Sequence, residues 1–267
     1  MLVLVVMCVC GGSLIGLLNG MLGVGGSFIA IPLLDEVLLR LGVSPSAAHV
    51  MAVGTAPATI LFTCISSFLA HRALGSMRGD LLRRMGPFIL VGSLAGAFLA
   101  PHMPTLFLKL LFAAVLMLMG VHLLLPQKTQ EKSSEKLAFL EPVSFFFGML
   151  ASMSGLAGTL ICVTYLYWRG VSWRQAVGTS SGIGLVIAVT STLGYIGSGW
   201  GENSLPAWSL GYLYLPGALC LLVPGMLMAR LGAVLVNAKN MPLAAMKKGV
   251  AVMNIGMAIH VASSVWS

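Results

Sequence analysis

Long apolar runs alternate along the chain with short clusters of charge, proline and glycine. The runs lie at about 1–34, 47–70, 85–100, 104–125, 142–168, 175–198, 208–229 and 249–266. A helix needs roughly 20 residues to cross a hydrocarbon core of about 30 Å, so most of these runs predict single membrane-spanning helices. Two do not fit. Residues 1–34 are too many for one crossing, and both this run and 142–168 are interrupted midway by glycines. Each predicts a helix that breaks, turns and restarts. The short second arm, 159–168, favours a tip inside the membrane, where irregular backbone must line protein or a wet cavity.

The one clearly polar run, Gln127 to Lys136, divides the chain into nearly equal halves, and the halves echo each other. At an offset of 132, Gly16, Gly23, Gly26 and Ser27 fall on Gly148, Gly155, Gly158 and Thr159. Further on, Val43-Ser44 matches Val171-Ser172, and Val53-Gly54-Thr55 matches Val177-Gly178-Thr179. The pattern reads as an internal repeat: a first membrane repeat over 1–125, a polar cytoplasmic linker over 126–137 and a second repeat over 138–267.

Composition narrows the class. Hydrophobic residues make up 58% and charged residues 8%, against roughly 45–50% and about 25% in soluble domains. So few charges cannot cover a water-exposed surface, which excludes a soluble enzyme, a disordered chain and a secreted disulfide scaffold. The net charge of +8 fits the Lys and Arg excess of cytoplasmic loops and forms no aromatic-laced basic patch, so no nucleic-acid partner is expected. The five cysteines lie in apolar runs without metal-ligand spacing; no metal and no cofactor is expected. No Lys or Arg precedes the first apolar run, so it reads as retained rather than as a cleaved signal.

Charge also orients the halves. Eight simple spans would divide the Lys and Arg residues 7 to 8 between the two faces, which is no asymmetry. If each glycine-broken run is a hairpin returning to its own side, 13 fall on one face and only Arg40 and Lys109 on the other. The positive-inside rule selects the second arrangement. The expected fold is an all-α polytopic membrane protein of two inverted repeats. Each is a glycine-tipped helical hairpin plus three transmembrane helices, in a bacterial-type inner membrane with both termini outside.

The tips carry the candidate chemistry. A helix restarting after a break presents unpaired N–H groups and the positive end of its dipole, an anion-binding arrangement. In inverted-repeat transporters such broken helices meet near the midplane around the substrate. The candidate substrate-binding residues are therefore Gly23, Gly25, Gly26 and Ser27 at the first tip and Gly155, Gly158 and Thr159 at the second. The competing reading is tight packing of small residues. Gly54-Thr55 and Gly178-Thr179-Ser180 add hydroxyls that could donate to an anion or back-bond to a carbonyl one turn earlier. Asn19 is a candidate ligand or hairpin cap.

The run GMLGVGGSFIAIPLL, then VSPSAAHVMAVGTAPATILFTCISS and His71-Arg72, resembles the sulfite exporter TauE/SafE family. SGLAGTLICV with VSWRQAVGTSSGIG resembles that family's second repeat, although its tip lacks the GxGGG-like run. The resemblance implies a transporter, not an enzyme, that exports small sulfur oxyanions or organosulfonates such as sulfoacetate across a lipid bilayer. An importer of a related anion such as thiosulfate, and assembly as a homo-oligomer, stay open. A distant alternative is an intramembrane serine hydrolase using Ser154 and His260. All seven carboxylates lie in or beside predicted loops, leaving histidines as the only intramembrane proton carriers and His49 as the one nearest a transport motif. Without a carboxylate relay, transport is expected to be electrogenic. Lys109 is expected to reach toward the outer headgroups.

Overall fold

A computed structural model describes residues 2–22, 26–73, 75–124, 140–156, 159–202, 205–236 and 243–263. The described chain is helical almost throughout. It comprises α1 (Leu2–Leu22), α2 (Ser27–Arg40), α3 (Pro45–Ala73), α4 (Gly79–Leu99), α5 (Thr105–Leu124), α6 (Leu140–Met153), α7 (Thr159–Trp168), α8 (Trp173–Ser198), α9 (Leu215–Val236) and α10 (Leu243–Ser263). A 3-10 turn at Ala100–His102 follows α4, and a two-residue antiparallel pair, β1 (Ser209–Leu210) and β2 (Leu213–Tyr214), precedes α9. Among the described residues, four apolar segments are long enough to cross a membrane: Pro45–Ile65, Gly79–His102, Thr105–His122 and Gln175–Ser198. The protein is an all-α membrane protein.

Both glycine-interrupted runs do break into two helices. At 1.5 Å per residue, the 14 residues of α2 reach about 21 Å and the 10 of α7 about 15 Å. Neither can cross alone. The repeated Val-Ser pairs have a local explanation. Gly42 and Gly170, at φ of 82° and 88°, end α2 and α7 in the left-handed region. The following Val43 and Val171 N–H groups return to Leu38 and Leu166 carbonyls, both at 3.1 Å, a Schellman-type ending. Ser44 and Ser172 then accept from Ala47 and Gln175 N–H, capping α3 and α8. One Gly-Val-Ser turn thus closes a short helix and opens a long one in each half.

The halves exchange their fourth helices. α1 packs on α9, and α4 packs on α6; α5 pairs with α10 and α3 with α8. The exchanged seams are built on glycine. A Cβ at Gly12 would lie 2.5 Å from the Leu221 carbonyl oxygen, and one at Gly16 would lie 2.1 Å from that of Gly225. On the other seam, Gly92 and Gly96 face the Phe145 and Met149 carbonyls, and Gly148 faces that of Ile89. Of the repeated tip-run glycines, Gly16 and Gly148 are therefore packing positions. Ser93 of α4 and Thr190 of α8 also share a hydrogen bond.

Candidate functional site

The second tip leans into the first half. Gly155, at φ 64°, lies in the turn directly after α6. A Cβ there would lie 2.7 Å from Ile31 Cδ1 of α2 and 3.0 Å from Val53 Cγ1 of α3. Gly155 therefore meets the helix that restarts at the first tip and the residue preceding Gly54-Thr55. Tyr195 of α8, fully buried, joins the same region. Its hydroxyl donates to the Ser152 carbonyl at 3.1 Å, and its ring covers Gly54 so closely that a Cβ would sit 2.9 Å away. Ser191 Oγ donates to Ser152 Oγ at 2.9 Å. Tyr195, Ser191 and Ser152 were not legible in sequence, since nothing in the spacing of α8 points its aromatic at a glycine 141 positions earlier.

At the first tip, α2 starts at Ser27 with Gly26 as its N-cap and no side chain capping its N–H groups. Gly26 O receives Ile29 and Ala30 N–H. Ser27 is 1% exposed, and its Oγ has no hydrogen-bond partner among the described residues. An unmade hydroxyl bond in an apolar interior costs about 1–3 kcal/mol. Ser180 of α8, also 1% exposed, has no nitrogen or oxygen partner among the described residues and lies against the Cys162 thiol in the first turn of α7. Ser27 thus opens α2 without a hydrogen-bond partner among the described residues, while Ser180 of α8 stands beside the first turn of α7 with a thiol as its neighbour. Gly23, Gly25 and Gly158 lie outside the described residues. Asn19 falls in α1 and Thr159 opens α7, but their side chains are likewise outside the description.

The Gly-Thr pairs do something else. Thr55 Oγ1 donates to the Met51 carbonyl at 2.6 Å and accepts the Tyr214 N–H at 3.0 Å. Thr179 Oγ1 accepts the Arg78 N–H, also at 3.0 Å. Tyr214 directly precedes α9, and Arg78 directly precedes α4. Each threonine therefore holds the entry of the other half's fourth helix. Thr55 has no hydrogen left for an anion in this arrangement. Gly178 lets the loop before α4 approach, since a Cβ there would lie 2.4 Å from the Ser76 carbonyl oxygen. Ser181 back-bonds to the Gly178 carbonyl at 2.7 Å.

The charged residues depart from expectation. Asp35 is not in a loop but inside α2, its side chain 17% exposed. His49 of α3, 3% exposed at its side chain, lies 3.5 Å from Asp35 Oδ2 through Nδ1. Lys109 does not reach outward; it is 20% exposed and its Nζ lies 3.9 Å from the same oxygen. The chain spacing hid this meeting because three helices supply one group each. The hydrolase alternative loses its geometry. Ser154 gives its hydroxyl to the Leu150 carbonyl at 2.7 Å, while His260 is exposed on α10, and the two share no bond. Among the described residues no three His, Cys, Asp or Glu side chains cluster as metal ligands.

Comparison with known proteins matches the sequence to a known family. The sulfite exporter TauE/SafE family matches residues 8–261. A "Probable membrane transporter protein" of Haemophilus influenzae is 30% identical over 97% of this chain and 98% of its own length. One of Methanocaldococcus jannaschii is 25% identical over 90% and 89%, and one of Bacillus subtilis 28% identical over 70% and 77%. No solved structure matches the chain. The chain belongs to the sulfite exporter TauE/SafE family and is a membrane transporter.

Proposed function

We propose that this TauE/SafE member exports small sulfur-containing anions, sulfite or organosulfonates such as sulfoacetate, through a site at the starts of α2 and α7. The observation that carries this reading is Ser27: a buried hydroxyl with no partner among the described residues, at a helix N-terminus whose N-cap, Gly26, brings no side chain. An anion there would accept the hydroxyl and the free N–H groups together and meet the positive dipole end. Ser180 supplies the matching hydroxyl beside α7. The approach of Gly155 to Ile31 and Val53 supports a shared centre for both tips. The exchange of α4 and α9 between halves supports two inverted repeats rocking about that centre, with the Lys- and Arg-rich loops on the cytoplasmic side of an inner membrane. The binding set is Gly23, Gly25, Gly26 and Ser27, with Gly155, Gly158, Thr159 and Ser180, and Asn19 beside the first tip.

Flux of labelled sulfite, thiosulfate and sulfoacetate in proteoliposomes tests the reading. Ser27→Ala should weaken transport of the accepted anion by about tenfold or more, the worth of one hydrogen bond to a charged group at about 1.5–3 kcal/mol. Gly26→Val is a poorer probe than the sequence suggests, because any Cβ there would lie 2.0 Å from Ile15 Cγ2. Wild-type flux in Ser27→Ala, or no flux of any of the three anions in the unaltered protein, rejects the site or the substrate class respectively. Uptake of thiosulfate against its export would favour the importer.

A further inference from the structure

Asp35, His49 and Lys109 stand apart from the tips and from every packing seam described above. Three helices bring them together, α2, α3 and α5, with Asp35 Oδ2 between the other two at 3.5 Å and 3.9 Å. The His49 ring is nearly inaccessible, yet among the described residues neither of its nitrogens has a hydrogen-bond partner, and Asp35 Oδ1 has none either. A neutral imidazole held this way leaves both polar atoms unsatisfied. A protonated one carries two donors and faces a carboxylate already within 3.5 Å. A small closure would make a charge-assisted bond. A proton on the ring would supply the donor that this approach to Asp35 lacks.

We infer that this trio is a proton-binding site linked to the anion site, a regulation that rests on the tip reading above. Asp35, the more exposed of the two at 17% against 3%, passes the proton between solvent and His49. Protonation takes the trio from a formal charge of zero to +1 and ties α2 to α3. Ser27 lies eight residues from Asp35 on α2, about 12 Å along the axis, and Thr55 six residues from His49 on α3, about 9 Å. A positive charge at that distance in a membrane interior favours an anion at the tip. Linkage makes the effect reciprocal: bound anion tightens the proton. Imidazole exchanges its proton in the range of about pH 5 to 8, so anion affinity rises as pH falls through that range.

The surroundings leave the control to these groups. Also on α2, Glu36 and Arg40 pair with each other at 2.6 Å and are about half exposed. α8 and β2 bring Tyr195 and Tyr214 to α3 at Gly54 and Thr55, beyond His49. α1 offers Cys8 and Cys10, α9 Cys220, and α5 also His122 near its far end. Among the described residues, Asp35 and Lys109 are the charges facing His49.

Ring-nitrogen NMR of histidine-labelled protein in detergent measures the site without any flux. The chain has five histidines, and the resonance lost in His49→Gln assigns the ring. It should titrate between about pH 5 and 8. Asp35→Asn should move its midpoint to lower pH, because the cation loses its partner, and Lys109→Gln to higher pH, because a like charge is removed. Thiosulfate, whose charge is constant over this range, should raise the wild-type midpoint. Proteoliposome flux of thiosulfate should gain roughly fivefold or more in apparent affinity from pH 8 to pH 6, and His49→Gln should flatten that response. A ring that does not titrate in this range overturns the inference. So do two variants that shift the midpoint the same way, or a midpoint indifferent to anion. A titrating, anion-sensitive ring with intact flux in Ser27→Ala would instead displace the anion site and keep the proton site.

Discussion

At the scale of single residues, the hydroxyls separate into two kinds by what they already touch. Thr55 and Thr179 are engaged, and Ser27 and Ser180 are bare of oxygen and nitrogen partners among the described residues. Sequence could list all four but could not sort them, because a hydroxyl's partner across 159 or 101 positions leaves no local trace. The sorting makes a prediction. Thr55→Val keeps shape but leaves the Tyr214 N–H without its acceptor, at a cost of about 1–3 kcal/mol. Thr55→Ser keeps the acceptor and should cost less than half of that. Thermal unfolding in detergent should therefore rank the wild type and Thr55→Ser above Thr55→Val, and Thr179→Val should repeat the pattern through Arg78. If Thr55→Val melts like the wild type while its anion affinity collapses, the hydroxyl belongs to the substrate and not to α9.

At the scale of elements, the breaks were legible because glycine interrupts an apolar run too long or too weak to be one span. The caps were half legible: the repeated Val-Ser pairs were visible, but not that Gly42 and Gly170 turn the chain before them. The seams were missed. Gly12-x-x-x-Gly16 and Gly92-x-x-x-Gly96 have the small-residue spacing of close helix pairs, yet spacing names no partner, and the partners lie in the opposite half. Asp35 was misplaced for a similar reason. It follows an apolar run directly, and only the continuation of α2 to Arg40 puts it inside a helix. The seams predict a graded series. Gly16→Ala and Gly92→Ala would each drive a methyl to 2.1 Å from a carbonyl oxygen. Each should lower the melting temperature clearly, as overpacking by about 1–3 kcal/mol does. Gly256→Ala in α10 meets nothing within 4 Å and should leave it unchanged. Equal behaviour of all three would mean that α1 and α4 do not lie against α9 and α6 as closely as described.

At the scale of the whole molecule, orientation and drive belong together, because a charge must know which way the field points. On the proposed orientation, the 13-to-2 division of Lys and Arg would put the loop after α3 inside and the loop before α9 outside. Cysteines at the exposed Ala73 and Glu202 should then be protected from and labelled by an impermeant outside reagent, respectively. Ser76 is unsuited to this test, since it is only 5% exposed whichever side it faces. The anion's charge has few places to be cancelled. Lys109 is taken by Asp35, and the two restarting helices offer roughly half a positive charge each, enough to steady a monoanion without carrying a cation back. On the proposed reading, net charge moves with each turnover. An inside-negative membrane contributes about 2.3 kcal/mol per 100 mV to an outgoing monoanion, roughly a fiftyfold bias in its distribution at 0.59 kcal/mol of thermal energy. In proteoliposomes clamped with valinomycin, reversing the potassium gradient should reverse net anion flux, and His49→Gln should keep that reversal while losing its pH response. Flux that ignores the clamp and follows an imposed pH gradient would make the proton a passenger instead of a regulator. The drive would then lie in Asp35 and His49.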